Sequence, residues 1–176
     1  MQGFPVAEAG HFVNMLPAVS ISGGKTSLPV SMATAEHLSI LISFGASAAL
    51  PTSIIVRQAT TEAIGASAAI PFRFYCQTTG GAGNDTLAGP YYAAATGITA
   101  SLPTSAPLPA GGVANLAYLI EIDSAELETA TAPGTITEYP YVYVVIADSG
   151  NVTIGSVVGV LSGQRYAYKG NPSVTV

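Results

Sequence analysis

At 176 residues the chain has the length of a single domain with a core that two layers can fill. It is 49% hydrophobic and only 9% charged, with a net charge of −5, whereas soluble domains usually carry roughly 25% charged residues. This excludes compositional disorder, which needs the reverse balance. The five basic residues, Lys25, Arg57, Arg73, Arg165 and Lys169, supply no cationic stripe for a phosphate backbone, so no nucleic-acid partner is expected.

In chain order, residues 1–11 show neither helical nor strand periodicity and are expected to form an extended N-terminal arm, with Phe4 and Val6 as its contact residues. They lack the basic and apolar regions of a secretory signal. Phe12 to Ile21 reads as a first strand, confined by Pro17 to an edge or a bulge. Ser22 to Lys25 is a turn, and Leu28 to Met32 a short second strand. In the third, His37 to Phe44, Leu38, Ile40, Ile42 and Phe44 share one face. Pro51 to Thr60 is the fourth, with Ile54, Val56 and Gln58 on one face. Thr61 to Ala69 reads as a loop, and Ile70 to Thr78 as the fifth strand. It contains Cys76, whose solitude excludes an intrachain disulfide and a cysteine-based zinc site. That residue is expected to be buried, and the chain to be made in a reducing cytoplasm.

Gly80 to Pro90 is expected to be a loop and Tyr91 to Ala100 a weak sixth strand. Leu102 to Gly112, with three prolines, is a surface connection. Leu116 to Ile122 is the seventh strand, and Asp123-Ser124-Ala125-Glu126 has capping-box spacing for one or two helical turns. Tyr139 to Ala147 and Val152 to Leu161 are rich in β-branched and aromatic residues around Asp148-Ser149-Gly150-Asn151, which predicts a β-hairpin. The whole predicts an all-β protein, an antiparallel β-sandwich or jelly roll of eight to nine short strands. A single domain is expected over residues 12–166, with a C-terminal tail over 167–176. No apolar run reaches the ~20 residues of a membrane helix, and no membrane partner is expected.

Candidate motifs fail on spacing or context. Gly24-Lys25-Thr26 ends like a phosphate-binding loop, but Val19 stands where the first glycine belongs, and Pro29, three residues after Thr26, stands where a helix should follow. Gly80 to Ala88 fits the calcium-binding nonapeptide of β-rolls, which needs tandem copies to complete the ion's shell; one copy predicts a plain connection. Glu121, Asp123, Glu126 and Glu128 offer oxygen ligands to a hard cation. The simpler reading has Ile120 and Ile122 facing the core, the acids facing water, and Asp123 or Ser124 capping a helical turn. His11 and His37 have neither metal-ligand spacing nor a nucleophile signature nearby. Asn84-Asp85-Thr86 and Asn151-Val152-Thr153 match the glycosylation acceptor pattern and carry no weight without a secretory signal. No catalytic residues, metal ligands or cofactors are expected. Tyr139, Tyr141 and Tyr143 line one strand face with Val142 and Val144 on the other, which predicts either a neighbour-chain interface or a wide core edge.

Tyr118 to Leu127, the tyrosine- and valine-rich strand after it, and Gly155 to Tyr166 together resemble small β-proteins of tailed-bacteriophage virions. The opening Val13-Asn14-Met15-Leu16-Pro17 fits the same pattern. Such proteins resemble capsid decoration, or cement, proteins. The resemblance implies a non-enzymatic homo-oligomer on the capsid surface, with the major capsid protein and its own copies as partners. The alternatives are a tail, baseplate or fibre-base component, or a glycan-binding adhesin using Tyr91, Tyr92 and the Gly80 loop.

Overall fold

The computed structural model describes residues 10–45, 51–77, 87–99, 116–127, 130–132, 135–137, 139–148, 150 and 153–164. In chain order the strands are β1 (His11–Ser20), β2 (Lys25–Thr26), β3 (Val30–Ser31), β4 (Ala35–Phe44), β5 (Ser53–Ala59), β6 (Ser67–Ala69) and β7 (Phe72–Gln77). They continue with β8 (Leu87–Ala93), β9 (Ile98–Thr99), β10 (Ala117–Asp123), β11 (Ala130–Ala132), β12 (Thr135–Thr137), β13 (Tyr141–Ile146) and β14 (Ile154–Gln164). A single 3₁₀ turn, Ser124–Glu126, follows β10. The fold is an all-β sandwich of two antiparallel sheets.

The first sheet runs β1-β14-β4-β10-β7-β8. In the second, β13 and β5 are central; β2 and β3 share the outer edge of β13, and β6 and β9 that of β5. Short segments at an edge leave little continuous backbone for another chain to pair with. The small β11–β12 pair stands apart.

Strand periodicity decides what is buried. Leu38, Ile40, Ile42 and Phe44 of β4 face inward, as do Tyr118, Ile120 and Ile122 of β10. Val142, Val144 and Ile146 of β13 and Ile54 and Val56 of β5 close the core from the other sheet. Aromatic rings fill one part of it: Phe44 meets Tyr118 edge-on at 6.0 Å, and Phe74 lies 5.5 Å from Tyr91. Burial pushes the Tyr118 phenol well up. Cys76 is buried, as expected, and burial raises its thiol pKa too. Gly155 and Gly159 of β14 also point inward. A Cβ at Gly159 would lie 3.0 Å from Met15 Sδ and 3.2 Å from Leu38 Cδ1, so the glycine makes room for both.

Pro17 lies where the sequence places it, on the edge strand β1, within the register shift between Leu16 and Val19. Four expected element bounds need correction. β1 starts at His11, whose partner is Leu161, so the expected arm ends before it. Lys25 belongs to a strand rather than a turn, Ser67–Ala69 to a strand rather than a loop, and β8 begins at Leu87, inside the expected Gly80 to Pro90 loop.

The largest correction concerns β13 and β14, which are not a hairpin. β13 pairs with β2, β3 and β5, while β14 pairs with β1 and β4 in the opposite sheet. From β13 to β14 the chain passes from one sheet to the other. Ala147 N–H donates to Ser53 O at one end, and Thr153 O accepts from Ile21 N–H at the other. Gly150, at φ +69°, donates its N–H to Asp148 Oδ1 at 2.9 Å. The Asp148–Gly150 bond forms, but the strands on either side of it lie in different sheets.

Candidate functional site

The outer face of the first sheet carries the densest polar arrangement among the described residues. β4 presents His37 and Ser39, β10 presents Glu121 and Asp123, and β7 presents Arg73. The registers set His37 opposite Asp123, Ser39 opposite Glu121, and Glu121 opposite Arg73. These are directly facing cross-strand pairs, the closest spacing a sheet offers.

His37 bridges two carboxylates. Its Nδ1–H donates to Asp123 Oδ1 at 2.6 Å, and its Nε2–H donates to Glu121 Oε2. Ser39 O–H donates to the same Glu121 oxygen at 2.9 Å. Arg73 Nη2 donates to Asp123 Oδ2 and lies 3.7 Å from Glu126 Oε1. Glu126 in turn accepts the Asp123 backbone N–H at 3.0 Å, the link that the capping-box spacing predicts. Partial burial alone would lower the His37 pKa, but the hydrogen bonds and charges of Asp123 and Glu121 outweigh it and raise it above 6.5. Asp123 is held below its ordinary value, first by the His37 hydrogen bond and then, against partial burial, by the charges of His37 and Arg73.

Ser39, His37 and Asp123 are the residue types of a hydrolytic triad, and Ser39 Oγ lies 3.3 Å from His37 Nε2. A triad needs Nε2 free to take the serine proton. Here Glu121 occupies Nε2, Ser39 gives its proton to Glu121, and a ring donating through both nitrogens is an imidazolium with no lone pair. In this geometry His37 is the charge partner of two carboxylates rather than the base for Ser39. Among the described residues no group of three or more His, Cys, Asp or Glu is placed to hold a metal.

The residues singled out from sequence are dispersed. Phe4, Val6, the Gly80 to Asp85 segment, Glu128, Asn84 and Asn151 lie outside the described residues. Tyr139 and Tyr141 are half-buried. Tyr143, expected at a neighbour-chain interface or a wide core edge, is only 3% exposed; Arg57 Nε donates to its hydroxyl at 3.1 Å, and Arg57 Nη2 reaches Ser67 Oγ at 3.2 Å. Tyr91 turns inward against Phe74, whereas its neighbour Tyr92 is 68% exposed. Gly24 to Thr26 border a shallow open groove with Val145 to Asp148, and Lys25-Thr26 is an edge strand rather than the start of a helix. His11 opens β1.

Glu121 and Asp123 do face away from the core, but they are bound to His37 and Arg73 rather than simply to water. The signal was present as outward positions two apart on two strands; only the pairing of those strands was missing. No helix among the described residues is long and apolar enough to cross a membrane. No protein-family model matches the chain, and no curated protein is detectably similar to it.

Proposed function

We propose that this chain is a structural virion protein of a tailed phage, a capsid decoration protein that binds and stabilises the assembled head shell. The observation that carries the reading is the surface. On a chain with 9% charged residues, Phe12, Leu28, Leu41 and Ile154 stand exposed, while Glu121 and Asp123 are paired with His37 and Arg73. Apolar area of this kind gains about 25 cal/mol per Å² when another surface covers it. The partners in this reading are the major capsid protein and further copies of the chain, the location is the capsid surface, and the role is not enzymatic. Jelly-roll connectivity belongs to the same proposal.

The test is co-sedimentation of the purified protein with head shells, and separately with tails, through a wash. The reading expects retention on heads, and weaker retention after deletion of residues 1–9, which carry Phe4 and Val6 but leave β1 whole. Retention on tails alone would move the protein to the tail, and binding to neither would overturn the reading.

One observation favours a glycan-binding adhesin as a second reading. Tyr92, 68% exposed, stands opposite Arg73, so an open aromatic ring adjoins a cluster of carboxylates. Binding to an oligosaccharide panel that disappears in Tyr92→Ala would support this second reading over the first.

A further inference from the structure

The outermost seam of the first sheet, where β7 meets the edge strand β8, carries two outward aromatic side chains. Phe74 and Cys76 point into the core, so Arg73 and Tyr75, which alternate with them, point out. Tyr92 stands directly opposite Arg73, which makes Tyr75 its diagonal neighbour, about 7–8 Å away. Tyr92 is 68% exposed and Tyr75 is half-buried. Gly89 gives Tyr75 its seat. A Cβ there would lie 2.8 Å from Tyr75 Cδ1, so the edge of the ring takes the space that a side chain at position 89 would fill. The φ of +145° at Gly89 favours glycine for its own reason.

A polar row begins beside these rings. Arg73 Nη2 donates to Asp123 and approaches Glu126, and the side chains of all three are more than a third exposed. A carboxylate has about four accepting sites. Asp123 uses one oxygen for His37 and the other for Arg73, and Glu126 Oε2 takes the Asp123 N–H, so both keep capacity to accept more.

We infer that Tyr92, Tyr75, Arg73, Asp123 and Glu126 form a binding site for a neutral pyranoside. Such a ligand is two-sided, as the site is. One side is C–H bonds, which the negative face of an aromatic ring attracts. Its rim is hydroxyl groups, which donate to carboxylates and accept from a guanidinium, and hydrogen bonds with a charged partner are the stronger kind. The inference rests on the adhesin reading and deepens it by naming the class of sugar.

Charge decides between neutral and acidic sugars. The polar row sets Glu121, Asp123 and Glu126 against His37 and Arg73, three carboxylates to two cations, on a chain of net charge −5. An acidic sugar would meet like charge, and a guanidinium already shared between two carboxylates. A wholly apolar partner would strip water from Asp123 and Glu126 and return no donor. The hydroxyl rim of a neutral sugar returns those donors.

Saturation-transfer nuclear magnetic resonance of the full chain tests it with two matched pairs of probes. They are methyl β-glucoside with methyl β-glucuronide, and methyl β-galactoside with methyl β-galacturonide. Within each pair only C6 differs, a hydroxymethyl group in one and a carboxylate in the other. The neutral member of at least one pair should bind, with saturation strongest at its ring C–H protons, and its acidic partner should bind about tenfold more weakly or not at all. Tyr92→Ala should weaken binding about tenfold and Tyr92→Phe should keep it, since stacking needs the ring and not the hydroxyl. Tyr92 is exposed, so both variants should retain the β far-ultraviolet spectrum. Leu28→Ala, at an exposed position on the second sheet, should change nothing. Equal or tighter binding of the acidic members would overturn the inference and leave an adhesin of acidic glycans standing. Binding of no probe at any attainable concentration, or binding indifferent to Tyr92→Ala, would overturn it too. The adhesin reading itself falls only if the wider oligosaccharide panel also shows no binding.

Discussion

His37 Nδ1 lies 2.6 Å from Asp123 Oδ1, although the two residues are 86 positions apart in the chain. The contact spans the β4–β10 seam in the middle of the first sheet, and Arg73 extends it to β7. It makes stability depend on pH in a defined direction. The His37 pKa is raised in the fold, so its contribution is full below 6.5 and is lost as pH rises through the folded value. The Asp123 pKa is lowered, so its contribution is full above 3.8 and is lost as pH falls through the folded value. Both act together between 3.8 and 6.5.

Thermal melts of wild type and His37→Gln across that range should therefore differ most in its middle and converge on the alkaline side. Asp123 and Arg73 are each more than a third exposed, so solvent screening keeps the difference to about 1 kcal/mol. The charged groups facing His37 are Glu121 and Asp123 on β10, backed by Arg73 on β7 and Glu126 on the 3₁₀ turn; Ser162 of β14 faces it from the other side. A gap that widened above the His37 titration would contradict this account.

Gly159 tests the packing between the layers. Valine there would push its side chain into Met15 and Leu38, and overpacking of this kind costs about 1–3 kcal/mol. Chemical denaturation of Gly159→Val should show that loss. Gly163→Ala is a poorer probe of packing, because its φ of +62° adds backbone strain of its own.

Tyr143 separates structural from surface roles on the second sheet. Tyr143→Phe removes the acceptor for Arg57 Nε and should cost about 0.5–1.5 kcal/mol. Because the ring is buried within its own chain, the substitution should leave co-sedimentation with particles unchanged. Loss of particle binding without loss of stability would return Tyr143 to the interface.

The sequence carried the inward faces well. Leu38, Ile40, Ile42 and Phe44 alternate cleanly with polar or less buried neighbours, and a period of two has one structural meaning. It carried β13 and β14 poorly. Both have apolar residues on both faces, and Asp148 and Gly150 supply the same local turn chemistry whether the chain folds back or crosses to the other sheet. Only non-local partners decide: Ser53 and Thr26 for one strand, Leu41 and Phe12 for the other. The His37 cluster was hidden for the same reason. His37 and Ser39, and Glu121 and Asp123, are outward pairs on separate strands, and nothing local says that β4 and β10 are neighbours. Tyr143 stayed open between an interface and a core edge, because nothing local says that Arg57 reaches its hydroxyl.

The central claim is that the protein works by lying on a shell, and imaging phage particles that carry it tests this most directly. The account predicts sandwich-shaped density on the outer surface of the head, repeated with the capsid lattice and absent when the protein is omitted. Particles with an undecorated head and the same density along the tail, or with no such density anywhere, would contradict it.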